Sequence, residues 1–141
     1  MHIGIIIHSP KGASKYIAEK LAKNFEKKGD TVSIEQLKYI DEEAEKKEFE
    51  TNFDLNDYDK VFLGSPLIKG ELSKVMKDFI SKLPNFDQKQ VSAYTTQFAF
   101  SSAKKSNAAK EELINLLVEK NIKVLQVEQI KWLNPFLGRD I

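Results

Sequence analysis

The sequence predicts a three-layer, doubly wound α/β fold whose five parallel strands run in the order 2-1-3-4-5, with the last helix truncated or absent. Three observations carry this prediction. Short apolar runs without polar alternation read as strands buried on both faces. The stretches between them repeat apolar residues at helical spacing. The two kinds alternate along the chain, so the strand connections must cross over, and they cross right-handed. The 141 residues amount to one domain, 41% hydrophobic and 30% charged, a make-up that fits a globular chain and argues against global disorder.

Each element has its own signal. Residues 3–7, Ile-Gly-Ile-Ile-Ile, form the first strand. In residues 13–28, Ile17, Leu21 and Phe25 recur every four positions with Ala18 and Ala22 beside them, giving a helix with one buried face that Gly29 ends. Residues 31–37 carry Val32, Ile34 and Leu37 among polar neighbours and read as a strand near the sheet edge. Between positions 41 and 59, nine acidic residues stand against Lys46 and Lys47. A short exposed helix followed by a loop is expected there, as a solvated face with a partner-docking patch as the alternative. Val61, Phe62 and Leu63 make the next buried strand, stopped by Gly64-Ser65-Pro66. Leu72, Val75, Met76, Phe79, Ile80 and Leu83 mark the clearest helix, closed by Pro84. Residues 91–96 form a more polar strand, Ala109, Leu113, Leu116 and Leu117 mark a further helix, and residues 122–130 form the last strand.

Composition excludes several functions. Cysteine is absent, which removes disulfides, thiolate nucleophiles, Cys-ligated zinc and iron–sulfur clusters. His2 and His8 are the only histidines, too few for a His-rich metal site. With 22 Lys+Arg against 21 Asp+Glu, the net charge of +1 makes no electrostatic case for nucleic acid. The chain runs directly into its first strand, and that apolar run is too short for a signal core or a membrane span, so a cytoplasmic protein without a membrane partner is expected.

Open α/β sheets bind ligands at the carboxyl ends of their strands, beside the point where strand order reverses. Three segments meet there. The first, His8-Ser9-Pro10-Lys11-Gly12-Ala13-Ser14, leads into the first helix. A hydroxyl-bearing glycine turn at a helix N-terminus suits a phosphate: Gly12 admits close backbone approach, Ser9 and Ser14 offer hydroxyls, and Lys11 adds charge. An ordinary helix cap without a ligand is the alternative. The second, Gly64 to Glu71, places Leu67 and Ile68 in a Gly- and Pro-rich turn, where they can shield a planar ligand or fold back on the core. The third, Thr95-Thr96-Gln97-Phe98-Ala99-Phe100-Ser101-Ser102, offers an amide and hydroxyls to the polar edge of a ring system and an aromatic for its face.

On these residues the chain resembles the short-chain flavodoxin family, over nearly its whole length in order of elements. Ser9-Pro10-Lys11-Gly12-Ala13-Ser14 lies where that family's phosphate loop reads Ser/Thr-x-Thr-Gly-x-Thr/Ser. Gly64-Ser65-Pro66 is similar to the opening of the second flavin loop, Leu67 to Gly70 match the segment flanking the isoalloxazine, and the third segment matches by position. The resemblance implies FMN as cofactor, held by Ser9, Lys11, Gly12, Ala13, Ser14, Pro66, Leu67, Ile68, Lys69, Gly70, Thr96, Gln97 and Phe98, with Ile68-Lys69-Gly70 at the ring's N5 edge. Departures are visible. Lys11 replaces a hydroxyl residue, Ala13 lacks a polar side chain, Ile68 stands in place of Trp or Tyr, and the chain lacks the family's acidic surplus. After the last strand, Pro135 and Gly138 leave no full-length helix, so Trp132, Phe136 and Leu137 or a second subunit must cover a sheet face; a homodimer is expected.

The expected function is that of an FMN-binding redox protein, carrying electrons or reducing a quinone or flavin partner, with a redox protein or a small quinone as partner. Because a flavin supplies the redox chemistry, no catalytic acid, base or nucleophile is expected. A flavin-free interaction module with the same fold is the alternative, supported by Lys11, Ala13 and Ile68. A phosphoacceptor receiver would need acidic residues where His8-Ser9 and Gly64-Ser65 stand, a tyrosine phosphatase would need a cysteine, and no nucleotide-binding Gly-x-x-x-x-Gly-Lys motif is present. His8 is expected to pack at a strand end, with a contact to phosphate or ring as the alternative.

Overall fold

The structure, a computed structural model, describes residues 1–98 and 102–132, the last of these by its backbone alone. Five strands run parallel: β1 (His2–Ile7), β2 (Thr31–Gln36), β3 (Lys60–Ile68), β5 (Lys89–Phe98) and β6 (Ile122–Trp132). Their order is β2-β1-β3-β5-β6, and a two-residue strand β4 (Glu71–Leu72) pairs antiparallel with β3 outside this path. With β4 set aside this is the expected order, with β2 on an edge. Helices α1 (Ala13–Lys27), α2 (Lys74–Ser81) and α3 (Ala103–Glu119) complete a three-layer α/β fold.

The unbroken apolar runs are buried on both sides. Ile3, Ile5 and Ile7 of β1 and Phe62 of β3 pack with Ile17 and Ala18 of α1. Ile6, Val61 and Leu63 point the other way, into the core with Met76, Phe79 and Ile80 of α2 and Leu113 and Leu117 of α3. Each fully buried Ile or Leu stabilises the fold by about 1.5–3 kcal/mol. At the end of α1, Gly29 has φ +90, with its N–H bonded to Glu26 and that of Asp30 to Phe25, a glycine-terminated helix as the sequence predicted.

Three expectations need correction. The acidic stretch holds no α-helix. Its backbone turns back on itself, with an antiparallel bridge between Tyr39 and Phe49, Ile40 N–H donating to Glu48 C=O and Glu50 N–H to Lys38 C=O. Phe49 stacks on Tyr39 with ring centres 4.7 Å apart and packs edge-on against Phe79 of α2. Burying two aromatics on α2 outweighs helix propensity in a segment whose crowded carboxylates repel one another. A three-residue 3₁₀ turn, Leu55–Asp57, is its only helical part.

The second correction concerns strand lengths. β3 and β5 continue past their expected ends, so that Pro66, Leu67, Ile68, Gln97 and Phe98 belong to strands rather than loops. The third concerns α2, which begins at Lys74 with Ser73 as its cap, because Leu72 is taken into β4.

The expectation of a tail covering the sheet concerns Phe136, Leu137 and the Trp132 side chain, which lie outside the described residues. On the face in question, the groove between α1 and β6 is a small, mainly apolar cavity of about 80 Å³ lined by Ile17, Leu21, Phe62 and Ile130, with Gln126 and Glu128 beside them. Among the described residues no helix is long and apolar enough to cross a membrane.

Candidate functional site

The cleft at the carboxyl edge is assembled from three elements. The turn after β1 supplies Ser9, Pro10, Lys11, Ala13 and Ser14; β3 and its hairpin turn supply Pro66, Leu67, Ile68, Lys69 and Gly70; the end of β5 supplies Thr96, Gln97 and Phe98. Together they line about 530 Å³, within the range of small-molecule sites. Every site residue named from the sequence lines it except Gly12, which caps α1. Pro10 is the lining residue that sequence reasoning did not name.

The first turn is built around the helix start. Gly12 has φ +93, in the left-handed region, and makes no side-chain cap. Ser9, buried, substitutes for the missing cap: its Oγ accepts from the N–H of Lys15 at 3.0 Å, and its carbonyl accepts from Gln36 Nε2 at 3.2 Å. Ala13 and Ser14, the first two residues of α1, line the cleft, and a helix N-terminus with its free N–H groups and dipole favours an anion.

The second segment is a hairpin. Leu67 pairs with Leu72 and Ile68 with Glu71, so Lys69 and Gly70 form a two-residue turn. Both have positive φ, 53 and 80, as a type I′ turn requires. The hairpin accounts for the apolar residues in a Gly/Pro-rich segment: Leu67 packs on the core while Ile68 stays 46% exposed at the cleft mouth.

Deeper in, several buried polar atoms have no hydrogen-bond partner among the described residues: Ser14 Oγ, Thr95 Oγ1, Thr96 Oγ1 and both amide atoms of Gln97. Ser14, Thr96 and Gln97 all line the cleft. A buried, unpaired polar group costs about 1–3 kcal/mol, so several facing one cleft call for an occupant with donors and acceptors of its own.

Beneath the cleft, Tyr94 of β5 reaches across to α1 and donates its hydroxyl to the carbonyl of Ser14 at 2.7 Å. Burial pushes this phenol up, so it remains a neutral donor. Gly64 makes room for it, since a Cβ there would lie 2.5 Å from the Tyr94 Oη. Sequence reasoning missed this pair; a glycine late in a buried strand was the available signal.

His8 faces away from the cleft and lines a separate groove with Lys38, Tyr39, Glu42 and Glu50. Its Nδ1 lies 2.5 Å from the Oγ of Ser73, the cap of α2, so it packs at the strand end as expected. Burial lowers its pKa below 6.5, and Glu42 pulls it partly back. Among the described residues no group of His, Asp and Glu could hold a metal ion.

The family model for the flavodoxin domain matches residues 4–129. No curated protein matches by sequence. Solved structures share the fold. A flavodoxin from Streptococcus pneumonia TIGR4 is 17% identical, with a TM-score of 0.69 over 95% of this chain and 87% of that one. Oxidised flavodoxin 2 from Bacillus cereus is 23% identical, with a TM-score of 0.68 over 94% and 86%. The Trp repressor binding protein from Bacillus subtilis is 13% identical, with a TM-score of 0.66 over 95% and 89%.

Proposed function

The chain belongs to the flavodoxin family, and from that premise we propose that it binds FMN in the carboxyl-edge cleft and transfers electrons through it. The observation that carries this reading is the set of unpaired buried polar atoms of Ser14, Thr96 and Gln97 lining a cleft of flavin size.

The residues present fit the cofactor. The phosphate would lie on the turn around Gly12, held by first-turn N–H groups, the Ser14 hydroxyl and the Lys11 ammonium. Lysine is a point charge where hydroxyls would give directed bonds, so it replaces geometry with Coulomb attraction. Leu67, Ile68 and Phe98 offer apolar surface to the ring faces, and the Gln97 amide suits a ring edge that both donates and accepts. FMN would supply electron transfer; the chain's own residues bind it, exclude water from its faces and set the charge around it. Electron carriage, or reduction of a quinone or flavin partner, needs no acid, base or nucleophile from the protein.

The test is titration of the flavin-free protein with FMN, read by quenching of flavin fluorescence and repeated with Gly12→Val. Saturable quenching that this substitution abolishes is the expected result. A fluorescence trace that never departs from free FMN would favour a flavin-free interaction module.

A further inference from the structure

We propose that the carboxyl edge around the cleft docks an acidic redox protein, an inference that rests on the flavin reading of the cleft. The mouth has the anatomy of a protein interface, an apolar centre inside a charged rim. Ile68 and Phe98 are 46% and 40% exposed there, on two different strands.

The rim is lysine. Lys69 occupies the hairpin tip. Lys105, in the first turn of α3, lies against that tip: a Cβ on Gly70 would be 2.6 Å from its Cδ. Lys104 precedes it, and Lys131 stands opposite Gln97 in the β5–β6 register. All four are exposed, and among the described residues none pairs with a carboxylate. On α2 the pattern differs, since Lys77 pairs with Glu112 and Lys82 with Asp78. Glu71, beside the hairpin tip, offsets one charge only. The N-termini of α1 and α3 open on this edge and strengthen its positive potential.

With a net charge of +1, this surplus is local. The acidic stretch between positions 41 and 59 follows β2, so Glu42 and Glu50 lie beside His8 and Pro10 on the β2 side of this edge, whereas the four lysines stand on its β3, β5 and β6 side. Unpaired charges of one sign around a site steer oppositely charged partners to it and repel like-charged ones. Their spread over a hairpin, a helix and a strand end, around two exposed apolar side chains, fits a protein surface better than a small anion.

The test uses cytochrome c, which is basic, and the same protein with its lysines succinylated, which is acidic. On a column of immobilised flavin-free protein at about 20 mM ionic strength, the succinylated form should be retained and the native form pass, with retention lost near about 300 mM. Lys104→Glu with Lys131→Glu should abolish retention, whereas Lys23→Glu with Lys27→Glu, the same charge change on the C-terminal half of α1, should not. In stopped flow the FMN-loaded, reduced protein should pass electrons, each converting one haem iron from ferric to ferrous, about tenfold faster to the succinylated form at low salt. Equal retention of both forms, preference for the native form, or equal loss in the control variant would overturn the proposal. So would a preference for ferricyanide over hexaammineruthenium(III) with no distinction between the two cytochromes, which would mark a small-anion site. Absence of FMN uptake would remove the flavin reading alone, because the column result needs no flavin.

Discussion

The phenol of Tyr94 fills the space that a side chain at Gly64 would occupy, and from there its hydroxyl holds the carbonyl of Ser14 in the first turn of α1. The central strands β3 and β5 and helix α1 are thereby fixed to one another below the cleft.

Gly64→Ala is expected to drive the Tyr94 ring off its position. Overpacking of this kind costs about 1–3 kcal/mol, read as a lower urea midpoint. Tyr94→Phe keeps the ring and loses the hydroxyl, which should cost about 1 kcal/mol and weaken FMN binding through a looser first turn. If Gly64→Ala unfolds at the parental midpoint, the ring is not confined as described.

Gly12 tests conformation where Gly64 tests space. Nothing lies within 4 Å of a Cβ built on Gly12, yet φ is +93. Gly12→Ala should therefore cost about 1–2 kcal/mol through backbone strain alone, and lower FMN affinity without a clash. Equal affinity of the two proteins in a fluorescence titration would show that the left-handed turn is not needed for the phosphate.

Lys69 at the hairpin tip is expected to favour an anionic reduced flavin. Lys69→Glu should lower the reduction potential by tens of millivolts at low salt, on the order that a reversed charge nearby produces after screening. Lys69→Gln should give about half that shift. Potentiometric titration that finds no change in either variant would place the lysine away from the ring.

His8 predicts a pH dependence. Its pKa is lowered in the folded protein from 6.5, first by burial, so the unfolded chain binds its proton more readily. Stability is therefore complete above about pH 6.5 and falls as pH drops from there through the folded pKa. The Ser73 hydroxyl accepts from Met76 N–H and can donate to a neutral Nδ1; a protonated ring forces it to turn. Urea midpoints of the parent should fall between about pH 7 and about pH 5 more than those of His8→Gln. Parallel pH profiles would remove this role.

Much of the fold was legible because burial on both faces leaves its mark in the sequence: an uninterrupted Ile3–Ile7 run has few interpretations, and Met76, Phe79 and Ile80 repeat with a helix's period. The acidic stretch misled because its two anchors, Tyr39 and Phe49, lie ten residues apart and gain their energy from Phe79, a contact that no local pattern encodes. The strand ends at Ile68 and Phe98 were missed for a related reason. Gly and Pro mark a chain reversal, but whether it is a loose loop or a hairpin depends on pairing with Glu71 and Leu72. The cleft residues were identifiable from their place at the strand ends, whereas the support below them depends on a glycine and a phenol thirty residues apart, Gly64 and Tyr94.

The Tyr39–Phe49 clasp has an engineering consequence. Its aromatic stack, the Tyr39 hydroxyl on Asp78 at 3.0 Å and the paired backbone bonds on either side close the chain between positions 40 and 48 into a small bight, which Lys82 also holds through the Lys47 carbonyl. Burial and the Asp78 carboxylate push the Tyr39 phenol up to about 12, so the clasp keeps its donor across the working pH range. Lengthening a surface bight costs little, since closure entropy grows only with the logarithm of length. A fluorophore tether or affinity tag spliced between Glu43 and Lys46 should report on the molecule while leaving the cleft undisturbed.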